Sequence, residues 1–199
     1  MKKSILFFSL LLAAFVSAQA QTNWKVDAAH SSIEFTVTHM VISEVTGKFG
    51  GFDAMASSES DDFGGASIEF SADVATINTG IEKRDEHLRS ADFFDAEKYP
   101  KLTFKSNSFK KVEGKNYALK GDLTMHGVTK PVELEVVYNG TIKDPYGQTK
   151  AGFKIIGLLN RFDYGLTWDA ALETGGLVVS DEVAITGNIQ LVKEVEAGK

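Results

Sequence analysis

The side chains best equipped for chemistry in this chain are four histidines, His30, His39, His87 and His126. Imidazole binds metals and moves protons near neutral pH. A metal site needs several ligands converging in a set geometry, which sequence shows as close pairs, two apart on a strand or four apart on a helix. No two of these histidines are so spaced. His39 shares parity with Phe35 and Val37, so a strand would turn it inward near its end, bonded to backbone or to a polar group beside it. Arg161 and Asp163 lie two apart. The ordinary expectation is an ion pair that pins a loop; the sharper one is that the Arg161 guanidinium fork reaches a phosphate or carbonyl group. Arg84, Asp85 and Glu86 read as a solvated helix face, and Asp61-Asp62 as an acidic turn. The chain has no cysteine, no Gly-x-Ser-x-Gly elbow, no phosphate-cradling glycine loop and no zinc signature. No residue is assigned a catalytic or metal-binding role, and no cofactor is expected.

The scaffold for these residues follows an export signal. Lys2 and Lys3 form a basic start, and Ile5 to Val16 is an apolar run too short for a comfortable membrane span. Ala18-Gln19-Ala20 is the small-x-small pattern of a signal peptidase site. Cleavage is expected after Ala20, with residues 1–20 a signal peptide and 21–199 one periplasmic or secreted domain. The net charge of −6 becomes −8 once Lys2 and Lys3 are removed. An acidic chain without a basic run argues against nucleic acid and anionic membrane surfaces as partners. No transmembrane span is expected after the signal, and assembly as a homodimer is left open.

From Tyr117 to Tyr138 apolar residues fall on every second position: Tyr117, Leu119, Leu123 and Met125, then Val132, Leu134, Val136 and Tyr138. That is the period of two half-buried strands. Gly127 supplies the turn between them, and Pro131 suits a strand start. The same alternation predicts strands over 32–39, 45–57, 66–78, 102–112, 149–159 and 182–192, eight in all. Gly47, Gly50 and Gly51 mark bends of the kind barrel corners need. Residues 58–65 read as an acidic turn. The alternation breaks from about 79 to 99, where Thr79 with Glu82 fits a capping box for a short helix through Leu88. The fold class is all-β: an eight-stranded antiparallel barrel with one short helical insertion, with a sandwich as the structural rival. A barrel of this size is filled by side chains or holds one small ligand. The inward candidates for either role are Ile33, Phe35, Val37, His39, Phe49, Phe52, Ile68, Phe70, Phe104, Leu123, Met125, Leu134, Phe153 and Ile155. Phe93 and Phe94, in the insertion, either gate one end or plug it. Periodicity alone favours the filled core.

Several segments resemble the YceI-like family of periplasmic polyisoprenoid-binding proteins. They are Asp27-Ala28-Ala29-His30-Ser31 with Phe35 and His39, and Gly47-Lys48-Phe49. Then come Arg84-Asp85-Glu86-His87-Leu88, the run from Asp92 to Pro100, the run from Leu123 to Pro131, and Arg161-Phe162-Asp163-Tyr164-Gly165. The resemblance spans essentially the whole chain after the signal. It implies a lipocalin-like barrel whose apolar pocket takes a long isoprenoid chain or a similar amphiphile, and it reverses the preference for a solid core.

The resulting expectation is a non-catalytic carrier of a polyprenyl or isoprenoid quinone-like lipid, lined by the residues named above, with Arg161 as head-group candidate. Two alternatives stand beside it. One is a lipocalin-like enzyme working on a bound lipid through His39 or His126. The other is a structural domain that docks on an envelope protein, which would show an exposed apolar patch.

Overall fold

A computed structural model describes residues 21–170 and 177–195. The expected signal peptide, residues 1–20, lies outside the described residues. Eleven strand segments appear: β1 Thr22–Val26, β2 Ser32–His39, β3 Ser43–Phe49, β4 Phe52–Ser58, β5 Ser67–Asp73, β6 Ile77–Asn78, β7 Lys101–Glu113, β8 Asn116–Met125, β9 Val128–Lys143, β10 Thr149–Asn160 and β11 Val179–Lys193. They merge into eight staves. A single 3-10 turn at Ala28–His30 separates β1 from β2, the Gly50-Gly51 pair separates β3 from β4, and a second 3-10 turn at Val74–Thr76 separates β5 from β6.

Each stave runs antiparallel to the next. The last, β11, pairs with β1 at Trp24↔Lys193 and with β2 at Phe35↔Ile185, which closes the ring. The sheet is the expected eight-stranded antiparallel barrel, and the sandwich is excluded. Two stave breaks are bonded to each other. Gly51 donates to the Thr76 hydroxyl at 2.9 Å, and Asp73 donates to the Gly51 carbonyl at 2.8 Å. A Cβ at Gly51 would stand 3.1 Å from the Thr76 methyl, so glycine lets the wall bend there.

The connections sort into two ends. Residues 40–42, the insertion 79–100, the turn 126–127 and the loop after Asn160 form one, called the mouth. Residues 59–66, 114–115 and 144–148 form the other, called the floor.

The β8–β9 hairpin is tighter than the sequence suggests. Met125 pairs with Val128, so the turn is His126-Gly127 alone, with φ of 51° and 74°. Both residues positive is the geometry whose twist matches the flanking strands. Pro131 lies inside β9, opposite Asp122, where β10 does not pair; its missing donor leaves no ladder bond to β10 unmade.

In the insertion, α1 spans Glu82–Arg89 with Ile81 as its N-cap, so the Thr79–Glu82 capping box does not form. Asp85 acts instead. Its carboxylate is 3% exposed and accepts from both the amide and the hydroxyl of Thr79. Arg84 donates to the Thr79 hydroxyl at 2.7 Å and carbonyl at 2.8 Å. These two residues are therefore an internal clamp on the start of α1 rather than a solvated face.

Candidate functional site

The two halves of the barrel interior differ. Toward the floor the inward residues are buried: Trp24, Ala56, Phe109, Tyr117, Leu119, Val136, Phe153 and Leu191. Phe63 reaches up from the floor loop into this layer, with its ring 5.0 Å from both Trp24 and Phe153 and 5.6 Å from Tyr138. Phe109 stacks on Tyr117 at 4.8 Å. Phe63, Trp24, Tyr117 and Tyr138 form an aromatic floor, while Ala56, Phe109, Leu119, Val136, Phe153 and Leu191 also border the cavity above it.

Toward the mouth burial is mixed, with Phe35, Phe49, Phe104, Leu123 and Met125 buried. Ile33, Phe70, Leu102, Val132, Leu134, Ile155, Leu159 and Ile185 are only half-buried although they face the axis. They surround a cavity of about 150 Å³ that Phe63, Phe109 and Phe153 bound from below. The wall is apolar except for Glu34, whose parity points its carboxylate outward. A cavity of roughly this volume lined by aliphatic and aromatic groups stays dry and takes a small hydrocarbon ring.

Glu34 and Met55 reach the cavity because the wall is open there. Pairing of the first stave with the second stops at Lys25↔Met55 and resumes at Glu34↔Lys48, leaving a seam between them. Beside the seam, the first stave is anchored on its other side, to β10 and β11. Asp27, at the break between β1 and β2, takes bonds from Lys150 at 3.2 Å, Gln190 at 2.9 Å and His30 at 3.0 Å. Burial works to raise the Asp27 carboxyl, but these donors prevail and hold it below its ordinary value.

Ten of the expected pocket residues border the cavity: Ile33, Phe35, Phe49, Ile68, Phe70, Phe104, Leu123, Leu134, Phe153 and Ile155. Six do not. Val37 and His39 sit higher on β2, where the ring of the barrel ends. Phe52 packs against Phe70 at 6.2 Å rather than against the hollow. Met125 is buried in the core beside the hairpin turn. Phe94 stands edge-on to Phe49 at 6.2 Å and covers the mouth from above. Phe93 lies farther out, 5.0 Å from His87 and 5.1 Å from Trp168, so it clasps the insertion to the loop after β10.

Arg161 is also relocated. It is 4% exposed, and its guanidinium donates to the carbonyls of Leu166, Trp168, Val179 and Ser180. Among the described residues Asp163 is not one of its partners, so the expected ion pair is not formed and the guanidinium is taken up by backbone carbonyls. The fork instead staples the mouth loop to β11. Burial lowers the guanidinium's affinity for its proton, and the carboxylates of Asp169 and Asp181 work the other way. Arginine stays charged even so.

The other histidines stay apart. His30 bonds Asp27, His87 lies 3.4 Å from Asp92, and His126 shares a 3.1 Å hydrogen bond with the Tyr164 carbonyl beneath Tyr99. Among the described residues no three His, Cys, Asp or Glu side chains converge on one point.

The residue most clearly missed is Phe63. It sits in a stretch of serines, acids and glycines that reads as a surface turn. Its one signal was being the sole aromatic in that turn.

The comparisons agree with this architecture. A UPF0312 protein of Staphylococcus aureus is 37% identical over 163 residues, covering 81% of this chain and 92% of that protein. The crystal structure of the Campylobacter jejuni YceI protein aligns with a TM-score of 0.69 at 27% identity, over 79% of this chain and 90% of that one. The structure of Burkholderia cenocepacia BcnA aligns with a TM-score of 0.73 at 24% identity, over 83% and 98%. A polyisoprenoid-binding domain from Saccharophagus degradans shares the fold, with a TM-score of 0.65 at 15% identity over 86% and 98%. The YceI-like domain matches residues 24–191, and the chain belongs to that family.

Proposed function

We propose that this chain is a non-catalytic carrier, exported to the periplasm or beyond, that holds the tail of a long isoprenoid lipid in the apolar cavity of its barrel. The observation that carries the reading is an apolar cavity inside the barrel, lined by side chains from strands around the ring and bounded at the floor by Phe63. The fold it shares with the polyisoprenoid-binding domain of Saccharophagus degradans supports the same class of ligand.

Magnitudes limit how the tail is held. Apolar contact gives about −0.3 kcal/mol per enclosed heavy atom, so roughly twenty enclosed carbons contribute about −6 kcal/mol. Pockets for such ligands run to about 300–1,000 Å³. The cavity of about 150 Å³ is smaller, so binding requires the half-buried side chains around it to swing outward. Phe70, Leu134, Ile155 and Leu159 are free to do so, since none is fully packed. Arg161 is spent on backbone carbonyls, which leaves the head group to the polar rim of the mouth.

The test is to isolate the protein from its own envelope under native conditions and weigh the intact complex by mass spectrometry. One isoprenoid-tailed lipid per chain is the expected result. Protein that emerges without lipid, and takes up none when offered polyprenol, contradicts the reading.

A further inference from the structure

The cavity has two unlike ends, and the lower one is built to stay put. Every bordering residue is borne on a strand except Phe63, which comes from the floor loop at 59–66 and sets its ring among the inward rings of Trp24, Tyr138 and Phe153. Wall residues can move aside radially, whereas a ring set among them from the floor blocks.

That loop is tied from several sides. The Tyr117 hydroxyl donates to the Asp62 carbonyl at 2.7 Å, and the Gly65 amide donates to the Phe109 carbonyl at 2.9 Å. Ser60 and Gly64 donate to Ser58 and Asp62 within the loop. Phe63 itself has φ of 63°, an uncommon state for a bulky residue, which persists only when the surroundings over-determine it. Its ring is 2% exposed and held by Trp24, Tyr138 and Phe153. By contrast Phe94, at the mouth, is half-buried on an insertion that is not part of the barrel wall.

We propose that Phe63 is the length stop for the bound tail, so that it sets how many isoprene units the barrel accepts. The inference rests on the carrier reading above and adds the residue that fixes tail selectivity. Leu102 and Phe109 bracket the cavity on β7. At about 3.3 Å per residue and a tilt of about 40°, they lie about 18 Å apart along the axis. A chain bond advances about 1.2 Å, so an isoprene unit of four bonds spans about 5 Å and the tunnel takes at most about four units. Carbons beyond that meet the Phe63 ring and must fold back or remain outside.

The experiment uses the full chain and a graded series of linear all-trans isoprenoid alcohols. Affinity is measured for each length by competition against a fluorescent fatty probe. In the natural protein affinity rises about tenfold or more per added unit, then stops rising at the length where the tail meets Phe63. Phe63→Ala removes slightly more carbon than one isoprene unit contains, so it moves the break about one unit longer. Phe63→Leu, which keeps the floor packed, moves it by less, and Phe63→Trp moves it shorter. A break that stays in place in folded Phe63→Leu and Phe63→Trp proteins overturns the stop alone. No binding at any length overturns the carrier reading and the stop with it.

Discussion

The hydroxyl of Tyr117 on β8 donates to the backbone carbonyl of Asp62, 2.7 Å away in the floor loop. The two residues are distant in sequence, and the bond lashes the loop that carries Phe63 to the barrel wall. Burial raises the Tyr117 phenol above its ordinary value, and the Asp62 carboxylate adds to the shift. The phenol thus remains a donor throughout the neutral range. Tyr117→Phe keeps the ring stacked on Phe109 and deletes only this bond. It is expected to cost about 1 kcal/mol in urea unfolding and to raise amide exchange at residues 62–65. Unchanged exchange there would show that the loop is held by other means.

Arg161 makes the next prediction. Four backbone carbonyls from two elements converge on one guanidinium, and a lysine offers a single nitrogen that cannot span them. Arg161→Lys is expected to destabilise the fold by about 2–4 kcal/mol, because buried carbonyls are left without donors. If Arg161 instead served a head group, the same substitution would weaken ligand binding and leave the melting temperature unmoved.

Tyr164 is the opposite case. Its hydroxyl is buried and has no hydrogen-bond partner among the described residues. Tyr164→Phe is expected to gain about 1 kcal/mol, since an orphaned polar atom costs that much to desolvate.

The same phenol gives a pH dependence. Burial first, and then the Asp163 carboxylate, push it up to about 12 from an ordinary value of 10. Below pH 10 both folded and unfolded chains keep the proton, and stability is unaffected. Between about 10 and 12 the unfolded chain has lost the proton that the native chain retains. Stability therefore falls by about 1.4 kcal/mol per pH unit through that window and levels off above it. Urea titrations from pH 9 to 12 should show this slope in the natural protein and a shallower one in Tyr164→Phe.

Filling the hollow separates binding from folding. Leu134 on β9 and Ile155 on β10 line the cavity from adjacent strands. Leu134→Phe or Ile155→Phe places extra carbon where about 150 Å³ is open. Each is expected to leave stability within about 1 kcal/mol and to cut lipid uptake tenfold or more. Normal uptake in both would mean that the tail binds elsewhere.

Much of this architecture was legible because strand alternation is a local signal. The inward set Tyr117, Leu119, Leu123 and Met125 is buried as its parity required. The closed barrel followed from eight such strands. What was hidden depends on contacts between distant segments. Alternation says which face a residue takes but not how far along the axis the barrel is solid. That is why Val37, Phe52 and Met125 point inward without bordering the cavity. Arg161 lay in a loop whose partners arrive from β11, so its two-residue spacing from Asp163 carried no information about them. Asp85 displaced Glu82 at the start of α1 because a three-residue spacing is only one of several ways to reach a free amide. Phe63 looked like surface because its neighbours are polar, and only the barrel supplied the aromatic cage that swallows it.

The chain carries two tryptophans, Trp24 against Phe63 at the floor and Trp168 against Phe93 at the mouth. They report opposite ends of the tunnel. A linear isoprenoid alcohol of about three units, short enough not to fold back, with a nitroxide at the tail terminus, added to Trp168→Phe and Trp24→Phe proteins, reads directly which end the tail tip reaches. Strong quenching of Trp24 with little quenching of Trp168 is the predicted result. Quenching of Trp168 alone, or of neither while the lipid is bound, would place the tail outside the barrel and contradict the account.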